Sequence, residues 1–89
     1  MKTLPETVVA YKRTPVFTEK TVPEGLLKNH STKAGVWGVI CVEQGKLEYT
    51  IENKEKVILA KEQSGIVEPE VLHHIKPLST VSFYVEFYK

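Results

Sequence analysis

Apolar and polar residues alternate along much of the chain with a period of two. Leu47, Tyr49 and Ile51 are separated by polar residues, and apolar residues stand at every second position from Val81 to Phe87. Strands with one face buried and the other face in water have this pattern. Both segments are therefore predicted to be amphipathic β-strands.

A third apolar segment, residues 36–42, has no polar face, which favours a central strand covered on both sides. Turn-forming residues separate it from the strands that follow. Residues 43–45 are predicted to close one hairpin and residues 52–55 the next, before further strands at 57–59 and 66–67.

The N-terminal part of the chain is rich in proline. Residues 8–11 and 16–17 are flanked by prolines and favour edge strands, where a missing N–H does no harm. Residues 25–29 favour a strand over a short helix. Roughly seven to nine short antiparallel strands predict an all-β barrel or sandwich, without a helix longer than about two turns.

Size and composition limit the possible classes of protein. The 89 residues make one domain, 1–89, with 42% apolar and 26% charged residues. Twelve basic and eleven acidic residues are mixed along the chain, so we expect no nucleic-acid partner. No apolar run approaches the ~20 residues of a membrane span, and the opening residues lack a secretory signal. Cys41 is the single cysteine, which excludes an internal disulfide and fits a cytoplasmic location.

The adjacent histidines His73 and His74 are the first candidates for chemistry. On a strand their side chains point to opposite faces. Val71 and Ile75 share a face with His73, so His73 is predicted to face the interior and His74 the outside. The alternative is a structural role for His73, as a buried neutral imidazole bonded to a backbone carbonyl.

His30 and Glu86 complete the candidate set. His30 is either an exposed loop histidine or a partner of His73 in one pocket. Glu86 interrupts an aromatic run, so it lies either in water or paired inside, because an unpaired buried charge is too costly. If it points inward, two imidazoles and one carboxylate resemble the ligands of an open zinc or iron site.

Trp37 and Tyr84 are expected to line the same pocket, with a core position as the simpler interpretation for Trp37. Lys12 and Arg13 are interpreted as a solvated pair. No Gly-x-Ser-x-Gly sequence surrounds any serine, and Cys41 lies within an apolar strand pattern. We therefore predict no catalytic residue.

Two motifs give a family resemblance. Residues 43–45 read Glu-Gln-Gly, and residues 65–73 follow the pattern Gly-x-x-x-Pro-x-x-x-His. This order resembles the two motifs of the cupin superfamily, which are small jelly-roll β-barrels. Segments 9–15, 30–38 and 68–73 are similar to a short domain related to the N-terminal part of tellurite-resistance B proteins.

The resemblance implies a small cupin-like jelly-roll β-barrel, and His73 stands where its second motif keeps a histidine. Together with the candidate residues above, the resemblance leads us to expect a divalent metal, Zn, Fe, Mn or Ni, held by His30, His73 and Glu86. Two departures weaken the metal set. A standard cupin has a His-x-His pair followed by a glutamate, whereas this chain has only His30 near the pair and Gly38 near the glutamate. The chain also lacks a glycine-rich nucleotide loop, so methyltransferase activity is not carried over.

Three functions compete at this level. The first is a binding module for a small molecule or metal ion, connected by resemblance to tellurite resistance or stress response. The second is a small metal-dependent cupin enzyme, and the third is a structural or interaction subunit with a vestigial pocket. The depleted ligand set favours the binding module over an enzyme. N-terminal edge strands that could pair across a two-fold axis predict a homodimer.

Overall fold

The structure is a computed structural model that describes residues 2–89 of the chain. These residues form eight β-strands and one helix of four residues. In chain order the elements are β1 (Ala10–Arg13), β2 (Phe17–Thr18), α1 (Glu24–Leu27), β3 (Trp37–Gln44), β4 (Leu47–Ile51), β5 (Glu55–Leu59), β6 (Gly65–Val67), β7 (His73–Pro77) and β8 (Ser82–Tyr88). The predictions of an all-β fold and of no long helix are confirmed.

The strands form two antiparallel sheets around a common core. Sheet A has the order β1-β8-β3-β6, and β2 also pairs with β8, further along the same strand. Sheet B has the order β5-β4-β7. Within residues 2–89 no strand ladder joins the two sheets, so the molecule is a small β-sandwich and the expected barrel does not close.

The core lies between the sheets, at the positions that the alternating pattern predicts. Leu47, Tyr49 and Ile51 from β4 are buried against Phe83 and Val85 from β8. Burial of one such side chain stabilises the folded state by about 1.5–3 kcal/mol. The period of two therefore identified the inward faces of these strands.

Strand β3 is central in its sheet, as predicted, but only one of its faces is fully buried. Ile40 and Val42 point into the core, whereas Val39 and Cys41 are half-buried on the outer face of sheet A. The prediction of cover on both faces is wrong for this outer face. Burial raises the pKa of the Cys41 thiol.

The turn at residues 43–45 does not close a hairpin. It leads from β3 in sheet A to β4 in sheet B, because these consecutive strands belong to different sheets. Gly45 adopts a φ of +77°, which only glycine adopts without strain. The hairpin predicted at residues 52–55 is confirmed between β4 and β5, with Asn53 at a φ of 60°.

The segment after β2 forms the short helix α1 where a strand was favoured. The Leu26 N–H donates to the carbonyl oxygen of Pro23 at 3.0 Å, and the Leu26 side chain packs against the core. This packing outweighs local preference, as often happens in segments of a single turn. In the part of the chain described, no helix has the length and hydropathy to span a membrane.

Candidate functional site

Strand β7 directs one histidine inward and the next one outward, which confirms the prediction from parity. His73 is only 4% exposed and lies on the inner face with Ile75. His74 is half-buried on the outer face, where its Nδ1 lies 2.8 Å from Oδ1 of Asn29.

The fold brings His30 and His73 together from segments that are far apart in sequence. The His30 N–H donates to the His73 carbonyl oxygen at 3.0 Å, and the His73 N–H donates back at 2.9 Å. The two ring centroids are 4.2 Å apart, with the ring planes inclined by 57°. The backbone pairing fixes the loop before β3 on the free edge of β7 and places both imidazoles in one site.

Both imidazoles are held in a defined tautomer. Nδ1 of His73 lies 2.9 Å from the carbonyl oxygen of Val71, and Nδ1 of His30 lies 2.9 Å from that of Lys28. A carbonyl oxygen can only accept, so each Nδ1 carries the hydrogen and each neutral ring keeps a lone pair on Nε2. Among residues 2–89, none forms a hydrogen bond to either Nε2. Imidazoles that accept from a ligand or bind a metal are commonly oriented in this way.

The surroundings of His73 favour its neutral form. Burial lowers the pKa of this imidazole, and neighbouring His30 and His74 lower it further. The hydrogen bond to Val71 opposes these effects. The edge of Tyr49 meets the His73 ring, with centroids 5.7 Å apart and planes at 81°. His73 therefore packs in the core and also lines a cavity between the two sheets.

A cavity of about 360 Å³ lies between the two sheets and contains both imidazoles in its wall. Its inner part is apolar, and its outer part is formed by β1, α1 and the loop of residues 30–36. The lining residues are Tyr11, Lys12, Thr14, Leu26, His30, Ser31, Thr32, Lys33, Val36, Ile40, Val67, His73, Ile75, Val85 and Phe87. Cavities of this size, mostly apolar with a few polar groups, are typical of small-molecule sites.

Glu86 is not brought to the histidines. It points to the outer face of sheet A, where its Oε2 accepts from Nη2 of Arg13 at 2.9 Å and from Nε at 3.1 Å. Its Oε1 accepts from the Tyr88 hydroxyl at 2.9 Å. The hydrogen bonds from Arg13, and after them the one from Tyr88, lower the pKa of this carboxyl. Its charge is thus satisfied on the sheet surface, away from the cavity.

Trp37 and Tyr84 are likewise absent from the cavity wall. Both belong to the outward-facing positions of sheet A, and the Arg13 guanidinium lies 4.4 Å from the centroid of the Tyr84 ring. The expectation that these two aromatics line the pocket is therefore wrong. The inward positions of β8 are occupied by the apolar residues that alternate with Tyr84 and Glu86, namely Phe83, Val85 and Phe87.

The donor set for a metal is incomplete within residues 2–89. No group of three or more His, Cys, Asp or Glu side chains lies close enough together there to hold an ion. The two imidazoles supply two nitrogen ligands, whereas a structural zinc site uses four and a catalytic one uses three from the protein. The role of His30, His73 and Glu86 as metal ligands stays a prediction.

Sequence reasoning missed two charged residues at the cavity. Lys12 was interpreted as half of a solvated pair with Arg13, and Lys33 was not considered, yet both line the cavity. They belong to a bulged edge strand and a loop, where no periodic pattern reports the direction of a side chain. The closeness of Lys33 to His30 in the sequence was the one available signal.

Comparisons of sequence and of structure with known proteins point to the same family. Residues 12–85 match the sequence profile of a family described as the TehB-like domain. A probable S-adenosyl-L-methionine-dependent methyltransferase TehB of Haemophilus influenzae (strain Rd) is 32% identical over 88 residues. The match covers 86% of this chain and 31% of that protein. The same protein from strain 10810 is 31% identical, with the same coverage. The chain therefore spans about a third of the length of these curated relatives.

Two crystal structures share the fold. That of TehB from Haemophilus influenzae superposes with a TM-score of 0.86 at 31% identity, over 93% of this chain and 32% of the other. That of a protein from E. coli (strain K12) superposes with a TM-score of 0.91 at 21% identity. It covers 100% of this chain and 97% of the other, and at this identity it shows the fold alone.

Proposed function

This chain belongs to the TehB-like domain family, and we propose that it is a binding module that holds a small molecule in the cavity between its two sheets. One observation carries the proposal: a cavity of about 360 Å³ with apolar inner walls contains two oriented imidazoles. The apolar walls would supply affinity, and the two Nε2 lone pairs would supply direction.

Binding without turnover is favoured over catalysis by the residues around the cavity. The lining residues include no carboxylate and no cysteine. The imidazoles of His30 and His73 are the side chains there best suited to proton transfer, and burial lowers the pKa of His73. General acid–base chemistry usually needs a group with a pKa near the working pH and a second group to orient it.

Metal binding through the same imidazoles is the second candidate. It is favoured by the tautomers, because a histidine ligand commonly donates its other N–H to a backbone carbonyl. Zn, Fe, Mn or Ni would be held by Nε2 of His30 and His73, with water or a bound small molecule completing the set. Two protein ligands predict weak binding. Titration of tag-free protein with zinc, followed by the histidine ring resonances, tests this candidate.

The relation to TehB suggests a physiological context. The relative is named as a probable methyltransferase, and this chain aligns with 31% of it. We propose that the module takes part in tellurite resistance without performing methyl transfer itself. A deletion strain should then grow less well on tellurite, and a cavity-blocking variant should fail to restore growth where the wild-type gene succeeds.

The expected homodimer would use the free edge of sheet A. Strand β1 is an edge strand with all four residues exposed, and next to it Val9 is 67% exposed. An antiparallel β1–β1 contact would join two five-stranded sheets and pair the open backbone edge of β1. Light scattering at micromolar concentration should give about twice the chain mass, and the mass of a single chain would refute this arrangement.

The binding proposal is tested by blocking the cavity. Leu26 lines it, whereas the adjacent Leu27 is 40% exposed and does not, so Leu26→Trp and Leu27→Trp make a matched pair. The probes are benzoate, benzamide and benzamidine, which share one shape. Their binding should be weak, in about the millimolar range, and suits amide shift mapping by NMR.

In the wild-type protein at least one probe should shift amides in β3, β7 and residues 30–36. Leu26→Trp should remove that binding and Leu27→Trp should leave it. The proposed function fails if none of the three probes binds, or if binding survives Leu26→Trp.

A further inference from the structure

The mouth of the cavity carries positive charge and no negative charge. Lys12 and Lys33 are the charged residues among its lining, where His30 and His73 are the other basic groups. All eleven acidic residues of the sequence are Glu, and none of them belongs to the lining. The chain as a whole has a formal net charge of only +1, so this one-signed environment is local.

A β-bulge helps to create this arrangement. Ala10 is paired with Tyr88 and Lys12 with Phe87, so β1 has one residue more than β8 over this stretch. In a regular strand two consecutive side chains point to opposite faces, and a bulge changes that direction. Here the consecutive residues Tyr11 and Lys12 both line the cavity. The irregularity thus directs an ammonium group to the mouth.

Neither lysine is neutralised by the protein. Some basic groups of the molecule have carboxylate partners, such as Arg13 with Glu86 at 2.9 Å and Lys28 with Glu24 at 3.1 Å. For Lys12 and Lys33, no carboxylate oxygen of residues 2–89 lies within the 4.0 Å of an ion pair. Two unpaired ammonium groups at one opening are complementary to an anion.

The inner wall sets the rest of the ligand. Ile40, Val67, Ile75 and Val85 line it, and each of them is at most 7% exposed. A bare inorganic oxyanion would lose hydration there without gaining hydrogen bonds, which is costly. An apolar body fits this part of the cavity, and the charged end belongs near the mouth.

Resting on the proposed function, we propose that the cavity takes a small organic anion. Its anionic group, a carboxylate or similar oxyanion, lies at the mouth with Lys12 and Lys33. Its apolar body lies inside, against Ile40 and Ile75 and beside the imidazoles of His30 and His73.

The charge series of the three probes tests this ligand class. Benzoate, benzamide and benzamidine carry −1, 0 and +1 on one shape. An exposed charge pair changes an equilibrium constant by up to about fivefold, so two lysines should favour benzoate over benzamide by about tenfold. Lys12→Gln and Lys33→Gln should each weaken benzoate binding by about two- to fivefold and leave benzamide unchanged. Added salt should weaken benzoate binding alone.

Lys54→Gln is the matched control, because it removes the same charge from the turn between β4 and β5, outside the cavity lining. It should leave benzoate binding as in the wild type. Sodium sulfate at equal ionic strength tests whether an inorganic oxyanion enters the cavity. It should not shift the amides of Ile40 or Ile75.

The outcomes separate the two proposals. If the three probes bind equally, or if Lys54→Gln acts as strongly as the cavity variants, the ligand class is wrong while the binding module stands. If sulfate displaces benzoate and shifts the inner-wall amides, the site takes an inorganic oxyanion and the organic class is wrong. If no probe binds at all, both proposals fall.

Discussion

The buried imidazole of His73 should make the stability of the protein depend on pH in a defined direction. Its ordinary pKa of 6.5 applies in the unfolded chain, and burial lowers the pKa in the folded protein. Between these two values the unfolded state binds a proton at this residue and the folded state does not. Stability is therefore highest above about pH 6.5 and falls as the pH decreases toward the lowered value.

The size of this effect follows from linkage. One proton of difference between the two states costs up to about 1.4 kcal/mol for each pH unit within the window. His73→Gln removes the titration while its side-chain N–H can still donate to Val71. The free energy of unfolding of both proteins is measured with urea at about pH 7.5, 6 and 5. The wild type should lose stability relative to the variant as the pH falls, because only the wild type carries the titrating imidazole at this position.

The comparison with wild type cancels the other titrating groups. His74→Gln is the control, because it removes a histidine from the outer face of the same strand. The reasoning is refuted if the difference between wild type and His73→Gln stays constant from about pH 7.5 to pH 5. A wild type that gains stability relative to the variant on acidification would mean that the imidazolium is favoured in the folded protein.

Three further predictions concern other parts of the molecule. Gly45→Ala should destabilise the protein by about 3 kcal/mol or more, because its φ is +77° and the new Cβ would meet the carbonyl oxygen of Thr80. Gly35→Ala has the same φ with open space around it and should cost only about 1 kcal/mol, as measured by urea unfolding of both variants. Glu86→Gln should leave benzoate binding within error of wild type, since the carboxylate faces away from the cavity; a loss of binding would contradict this placement. Cys41 should react with a disulfide reagent more slowly than a free thiol at about pH 8, because burial raises its pKa, and a rate equal to that of a free thiol would disprove it.

The parts of the fold that sequence predicted are those governed by burial. Leu47, Tyr49 and Ile51 alternate with polar residues because one face of β4 meets the core, and the same rule placed His73 inside. Which strands pair with one another was harder to predict from the sequence. The turn at residues 43–45 has the composition of a hairpin, but its strands belong to different sheets, which depends on contacts with distant segments.

The site was only partly predictable for the same reason. His73 follows the alternation of a regular strand, so its direction could be deduced. His30 joins it through two backbone hydrogen bonds across a sequence separation of 43 positions, and no local pattern encodes such pairing. Glu86 shows the opposite failure. Its outward direction was contained in the alternation of β8, but its position within an aromatic run left an inward, metal-binding carboxylate open as an alternative.

The similar structures indicate which parts of this fold could determine its function. The E. coli structure keeps the sandwich with a TM-score of 0.91 although only 21% of residues are identical, so the fold tolerates extensive replacement of side chains. A conserved architecture therefore does not specify a ligand. In this chain the groups that could do so, Lys12, His30 and Lys33, lie on a bulged edge strand and a loop, outside the regular inner faces of the sheets. Substitutions there change the chemistry at the mouth of the cavity with little change in core packing. Relatives with one fold can thus hold different ligands, and charge at these positions is the property to compare among them.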